Sequence, residues 1–218
     1  MNKTYMENIP LRVIIYISGI LVTALGINVL LRSELGAGAW DTVTNNFSAL
    51  TNITLGTASA IINITVLLIV LIYNKKIKYL AIIVPIFGIA LAIDFWDIIV
   101  FGDLDISLLW LKFVFFILGA FILTLGLSLM IVTRFPAMVY DELTLSLMRL
   151  FKVKKFFNMR IAIELFAIML ATIFGFLAGI GFGAVNLGSF LLAVALGPII
   201  TIHLKWLNII LKADVLED

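Results

Sequence analysis

Six long apolar stretches constrain the fold of this chain more than any other feature. A helix that crosses a bilayer needs about 20 mostly apolar residues. Stretches of that kind run over about 11–31, 55–73, 79–101, 108–132, 159–179 and 184–204. Because 63% of the 218 residues are hydrophobic and only 13% are charged, no water-soluble core could enclose them. The sequence therefore predicts an all-α polytopic membrane protein, with six transmembrane helices in one integral domain, 1–218, and the lipid bilayer as its surroundings.

The distribution of Lys and Arg predicts the orientation. Cytoplasmic loops carry an excess of these residues. With the N-terminus in the cytoplasm, 13 of the 15 basic residues lie on the cytoplasmic side. They are Lys3, Arg12, Lys75, Lys76, Lys78, Arg134, Arg149, Lys152, Lys154, Lys155, Arg160, Lys205 and Lys212. Only Arg32 and Lys112 fall near the outer side, so both termini are predicted to be cytoplasmic.

The chain matches itself when it is shifted by 100 residues. The matching pairs are Gly19 and Gly119, Gly26 and Gly126, Ala37 and Ala137, Asp41 and Asp141, Thr44 and Thr144, and Gly88 and Gly188, with Trp40 over Tyr140 as an aromatic match. Each copy holds three spans, about 11–101 and about 108–204, and an odd number of spans reverses direction. The sequence therefore predicts a 3+3 inverted-topology repeat, a plan that recurs in secondary transporters.

Short additional helices are predicted after spans one and four. Gly36, Gly38 and Pro136 are expected to break the preceding helices. In the second copy Pro136 and Met138 stand where the first copy has Gly36 and Gly38, so a sharp backbone turn is less favoured there. Asp41 and Asp141 are expected to be N-caps of helices that lie at the interface or re-enter the protein. Their neighbours Trp40 and Tyr140 suit the depth of the lipid headgroups.

Three sequence segments carry a family resemblance. They read "LGAGAWD" at 35–41, "MVYDELTLSL" at 138–147 and "NLGSFLLAVALGP" at 186–198. With them, most of the chain resembles the YczE/YyaS/YitT family of bacterial integral membrane proteins. The resemblance implies a multi-pass protein of the bacterial cytoplasmic (inner) membrane. It implies no activity, substrate or catalytic residue.

Ionisable residues inside the spans are candidates for function, because such groups are costly in lipid and usually face the protein interior or a cavity. Glu164 lies four residues after Arg160, on the same helix face. This carboxylate is interpreted either as a proton or substrate ligand or as half of a structural ion pair. Asp94, in the outer third of span three, is a further candidate. Asp41 and Asp141 serve as caps alone, or as caps that also gate the protein or contact a cationic solute.

Three functional classes remain open. The favoured hypothesis is a small secondary transporter or permease of an unidentified solute, working by alternating access, with Asp41, Asp141, Trp40 and Tyr140 at its substrate site or gates. The alternative is a non-transporting membrane partner or scaffold for a biosynthetic or envelope complex. An enzyme is not expected, because no nucleophile–base pair is recognisable. Homo-oligomerisation is left open.

No cofactor, metal or nucleic acid is predicted as a partner. The chain contains no cysteine and a single histidine, His203, so the usual ligands for a transition metal are scarce. No phosphate-binding glycine loop is present. No soluble basic region with interleaved aromatic residues is found either, which disfavours nucleic-acid binding.

Overall fold

The computed structural model describes residues 8–211, and these are folded into helices without a β-strand. The predicted charges at Lys3 and Lys212 lie outside the described residues. The α-helices are α1 (Ile9–Ser33), α2 (Ala39–Thr51), α3 (Leu55–Asn74), α4 (Ile83–Asp94), α5 (Leu109–Val132), α6 (Val139–Phe151), α7 (Phe156–Leu177) and α8 (Leu187–Leu211).

Six helical stretches are long and apolar enough to cross a membrane. They are α1, α3, Ile77–Phe101, α5, α7 and α8. The prediction of an all-α protein with six candidate spans is therefore confirmed. The predicted boundaries lie within a few residues of the observed ones, except that α8 continues to Leu211, well beyond its predicted end at 204.

The third span is irregular, which the sequence pattern did not predict. It begins with a 3₁₀-helix, Ile77–Ile82, continues as α4, and ends in a π-helical segment, Phe95–Phe101. Pro85 lies in the first turn of α4 and has no N–H to donate to the preceding turn. The change of helix type therefore coincides with a residue that cannot continue the hydrogen-bond ladder.

Helices α1 and α5 pack closely, because glycines remove the side chains between them. A Cβ atom at Gly26 would lie 2.3 Å from the backbone nitrogen of Leu123, and one at Gly19 would lie 2.8 Å from Met130 Cγ. The contact partners move toward the start of α5 as the chain advances along α1. The two helices therefore run antiparallel.

The same contacts occur in reverse, with the roles of the two helices exchanged. A Cβ at Gly126 would lie 2.3 Å from the backbone nitrogen of Thr23, and one at Gly119 would lie 2.8 Å from Leu30 Cγ. Reciprocal contacts of this kind are what a two-fold axis produces between two like elements.

The chain leaves α1 and α5 through equivalent turns. Glu34 and Arg134 adopt left-handed backbone conformations, with φ of 55° and 58°. Just before them, the Ser33 hydroxyl donates to Leu30 O at 2.5 Å and the Thr133 hydroxyl donates to Met130 O at 2.6 Å. Each helix therefore ends before the predicted breakers Gly36, Gly38 and Pro136, and the second turn forms without glycine.

The two short helices, α2 and α6, pack against spans of the opposite half. The Asn46 side chain on α2 donates to Ala171 O on α7 at 2.8 Å. The Asn74 side chain on α3 donates to the Ser146 hydroxyl on α6 at 2.7 Å. The predicted short helices after spans one and four are therefore present, and each is held by a buried or half-buried polar contact as well as by apolar packing.

Candidate functional site

Trp40 and Tyr140 meet in the protein interior. Their ring centroids lie 4.4 Å apart and their planes are inclined by 16°, which is a stacked arrangement. Only 8% of Trp40 and 4% of Tyr140 is exposed. The prediction that these rings lie at headgroup depth is therefore wrong, since two residues expected at opposite membrane faces are in contact.

The rings meet because the N-terminal ends of α2 and α6 meet. The N-cap positions are Gly38 and Met138, and neither helix has a side-chain cap. Asp41 and Asp141 lie in the first turn, so the prediction that they are N-caps is wrong. Both nonetheless lie where the positive end of the helix dipole stabilises a negative charge.

Gly38 makes room for the Asp41 side chain. A Cβ at position 38 would lie 2.5 Å from Asp41 Oδ2, so the carboxylate folds back over the glycine. Burial raises the pKa of Asp41 to about 7, and the nearby negative charge of Glu164 contributes in the same direction. Asp41 is therefore able to gain or lose a proton near neutral pH.

Arg160 joins two further carboxylates to this region. Its Nη1 lies 2.5 Å from Asp141 Oδ1, and its Nε lies 2.8 Å from Glu164 Oε1. The predicted pairing of Arg160 with Glu164 is confirmed, and Glu164 is buried, with only 4% of the residue exposed. The contact with Asp141 was not predicted, because it depends on how α6 packs against α7.

A small cavity with several polar lining residues adjoins the stacked rings. Its volume is about 20 Å³, and its polar lining comes from Asp41, Thr44, Ser59, Asn63 and Tyr140. The Asn63 amide donates to Ser59 O at 2.8 Å. Asn63 and Ser59, both on α3, therefore share this cavity with Asp41 and Tyr140.

Two larger cavities are present in addition to the small one. One, of about 350 Å³, is lined by Asp141 and shares Ala137 and Met138 with the small cavity. The other, of about 270 Å³, is lined by Arg32 and Asp97, and none of its lining residues borders the small cavity. The small cavity therefore lies nearer to the larger cavity beside Asp141.

The cavity beside Arg32 is crossed by polar contacts. Arg32 Nη2 lies 2.9 Å from Asp97 Oδ1 and donates to Gly102 O at 2.6 Å. A second ion pair joins Lys112 to Glu34. These contacts connect α1 to the end of the third span and to α5.

Asp94 lies apart from the other candidates. Its Oδ1 accepts from the Gly56 N–H at 2.6 Å and its Oδ2 accepts from the Thr54 hydroxyl at 2.7 Å. Asp94 therefore caps the start of α3 and fixes it to α4. Asp41, Asp141, Arg160 and Glu164, by contrast, are gathered around the stacked rings.

The comparisons with known proteins identify a family but no activity. Residues 10–205 match a family of unknown function, DUF6198. The chain is also 30% identical over 186 residues to a Bacillus subtilis (strain 168) protein named "Uncharacterized protein YyaS". The aligned region covers 85% of this chain and 92% of that protein. The predicted resemblance to a YyaS-like family is therefore confirmed. No solved structure matches the chain.

Proposed function

We propose that this chain, which belongs to the family of unknown function DUF6198, is a small secondary transporter that moves a solute by alternating access. The observation that carries this proposal is the meeting of Trp40 and Tyr140, with Asp41, Asp141, Arg160 and Glu164 around them. Two matched elements from different halves of the chain thereby form one polar site inside an apolar protein.

The proposal includes an inverted-topology repeat. The reciprocal glycine contacts support it, and so does the antiparallel packing of α1 against α5. Three candidate spans in each half are consistent with the same arrangement. Under this arrangement α2 and α6 are re-entrant helices, each about 20 Å long at 1.5 Å per residue, that start near the membrane midplane and run to opposite surfaces.

The cavities support an alternating-access cycle. A transporter of this type exposes one central site first to one side of the membrane and then to the other. Here Ala137 and Met138 alone border both the small cavity and the cavity of about 350 Å³, whereas the small cavity shares no lining residue with the cavity beside Arg32. We propose that the structure represents a state in which the central site lies nearer to the side of Asp141 than to the side of Arg32.

We further propose that the protein resides in the bacterial cytoplasmic membrane with both termini in the cytoplasm. The distribution of Lys and Arg supports this orientation. Under it, the cavity beside Asp141 faces the cytoplasm and the cavity beside Arg32 faces outward. No enzymatic step is assigned to the site.

A flux screen tests the proposal. The purified protein is reconstituted in liposomes of phosphatidylethanolamine and phosphatidylglycerol, and currents are recorded after jumps in amines, amino acids, sugars, carboxylates and inorganic ions. Saturable flux of at least one solute is expected, with loss in the double variant Asp41→Asn, Asp141→Asn. Asp103→Asn is the matched control, because Asp103 is an exposed carboxylate in a loop and lines none of the three cavities.

A distance measurement decides the case in which no solute is found. Spin labels at Ser48 and Asp105 report on the outer cavity, and labels at Lys78 and Glu142 report on the inner one. Alternating access predicts two conformational populations: where the distance between the outer pair of labels is longer, the distance between the inner pair is shorter, and the reverse. A single fixed distance at both cavities under all conditions would favour the scaffold alternative.

A further inference from the structure

The small cavity lies between the two halves of the chain. Ser59 and Asn63 of α3 and Asp41 and Thr44 of α2 line it from the first half, whereas Tyr140 lines it from the second. Its volume of about 20 Å³ exceeds the roughly 10–15 Å³ that one water molecule requires. One water-sized particle fits, and an organic solute does not.

The polar lining supplies oxygen ligands. Asp41 contributes a carboxylate, Asn63 an amide, and Thr44, Ser59 and Tyr140 contribute hydroxyls, while the remaining lining is largely apolar. Oxygen ligands are those that hard cations prefer. Among the described residues no three His, Cys, Asp or Glu side chains are grouped as a metal site. A single carboxylate with neutral oxygens suits a monovalent cation better than a divalent one.

The charges around the cavity also favour a cation. Three carboxylates lie in this region, those of Asp41, Asp141 and Glu164. The facing cation on α7 is Arg160, whose ion pairs within residues 8–211 go to Asp141 and Glu164. The negative charge of Asp41 is thus left without an ion-pair partner in the described part of the chain, and an uncompensated charge inside an apolar protein is costly.

We propose that this cavity binds one small monovalent cation, sodium by its size and oxygen ligands, with Asp41 as the charged ligand. The ion connects α2 and α3 of the first half to Tyr140 of the second, because all three contribute to the lining. Its use as a coupling ion rests on the proposed transport function, whereas its binding does not. Binding therefore holds the two halves together at the contact around which they are proposed to move.

The test is direct sodium binding to the purified full-length protein in detergent. Radioactive ²²Na⁺ is measured by scintillation proximity at pH 8.5, where Asp41 is ionised, and at constant ionic strength maintained with choline chloride. We expect saturable binding of one ion per chain, competed by unlabelled sodium and not by choline, which is too large for the cavity. Asp41→Asn is expected to weaken binding at least tenfold, and Asp103→Asn to leave it unchanged, because Asp103 is exposed and lines none of the three cavities.

A second variant guards against misfolding. Ser59→Ala removes one neutral ligand and retains the carboxylate, so a several-fold weaker affinity is expected in a protein that elutes as the wild type does in size-exclusion chromatography. Failure of the folded wild-type protein to bind sodium would overturn the proposal. So would sodium binding that survives Asp41→Asn, or uptake of a proton near neutral pH with no response to sodium.

The failure of this site and the failure of the transport function are distinguishable. Sodium binding without flux of any solute would remove the transporter and leave the site. Solute flux that is independent of sodium, in a protein that binds no sodium, would remove the site and leave the transporter.

Discussion

Asp41 shows how one residue depends on several local features at once. It lies in the first turn of α2, where the helix dipole favours its charge, and it needs Gly38 to fold back over the backbone. Burial and the charge of Glu164 act in the opposite direction and raise its pKa. The protonation state of this carboxylate is consequently sensitive to small changes in its surroundings.

Asp41→Asn is expected to flatten the dependence of stability on pH. The folded protein holds a proton on Asp41 up to about pH 7, whereas the unfolded chain releases it near the ordinary pKa of 3.8. The stabilisation from this group is therefore full below the unfolded value and is lost as pH rises through the folded one. Thermal unfolding in sodium-free choline buffer between about pH 5 and 8 measures the effect.

The control for this experiment is Asp105→Asn, which should retain the wild-type slope because Asp105 is exposed. An unchanged slope in Asp41→Asn would show that another group causes the pH dependence.

The stacked rings are expected to stabilise the protein as a pair. Aromatic pairs contribute about 0.5–1.5 kcal/mol beyond the area they bury. A double-mutant cycle of Trp40→Leu and Tyr140→Leu, followed by chemical unfolding in detergent, should give a coupling energy in that range. Trp110→Leu provides the comparison, because Trp110 is 63% exposed and should combine additively with Trp40→Leu. Additivity of the first pair would mean that the stacking contributes nothing.

At the scale of elements, the central feature is the α1–α5 pair. Gly19, Gly26, Gly119 and Gly126 each allow backbone approach at distances that a side chain would prevent. Association of helices in lipid depends on close packing of this kind, since lipid tails are as apolar as the helix surfaces.

Gly26→Ala and Gly126→Ala are expected to destabilise the fold by about 1–3 kcal/mol each, the usual cost of overpacking. In both cases the new methyl group would lie 2.3 Å from backbone nitrogen of the partner helix. Gly197→Ala is the matched control, because a Cβ at this helical glycine meets nothing within 4 Å. Thermal unfolding should place both variants below the wild type and Gly197→Ala at or slightly above it.

If Gly26→Ala and Gly197→Ala unfold at the same temperature, the close packing of α1 on α5 does not limit stability. In that case the double variant Gly26→Ala, Gly126→Ala would also fold normally. We expect instead that it is less stable than either single variant, because both methyl groups would meet backbone of the partner helix.

At the scale of the whole molecule, the sequence predicted those structural features that depend on local or repeated residue patterns. The six candidate spans follow from runs of apolar residues, and the contact of Arg160 with Glu164 follows from helical spacing. The depth of Trp40 and Tyr140 did not follow, because it depends on packing between elements 100 residues apart. The offset of 100 residues contained a hint, because under the proposed two-fold relation equivalent residues of the two halves can contact each other.

Cysteine labelling tests the inverted orientation of the two halves. The chain has no cysteine, so single substitutions can be made in the natural background. Thr51 ends α2 and Phe151 ends α6, and both are exposed. Under the inverted repeat, an impermeant maleimide added to intact cells should label Thr51→Cys and leave Phe151→Cys unlabelled until the membrane is permeabilised.

Two loop positions serve as references for the labelling. Asp103→Cys should react from outside, because its loop holds two acidic and no basic residues, and Lys76→Cys should react only after permeabilisation. Labelling of Thr51→Cys and Phe151→Cys from the same side would mean that the copies are parallel. The two N-terminal helix ends at Trp40 and Tyr140 would then approach from one surface, and a central site reached alternately from both sides would no longer follow from the fold.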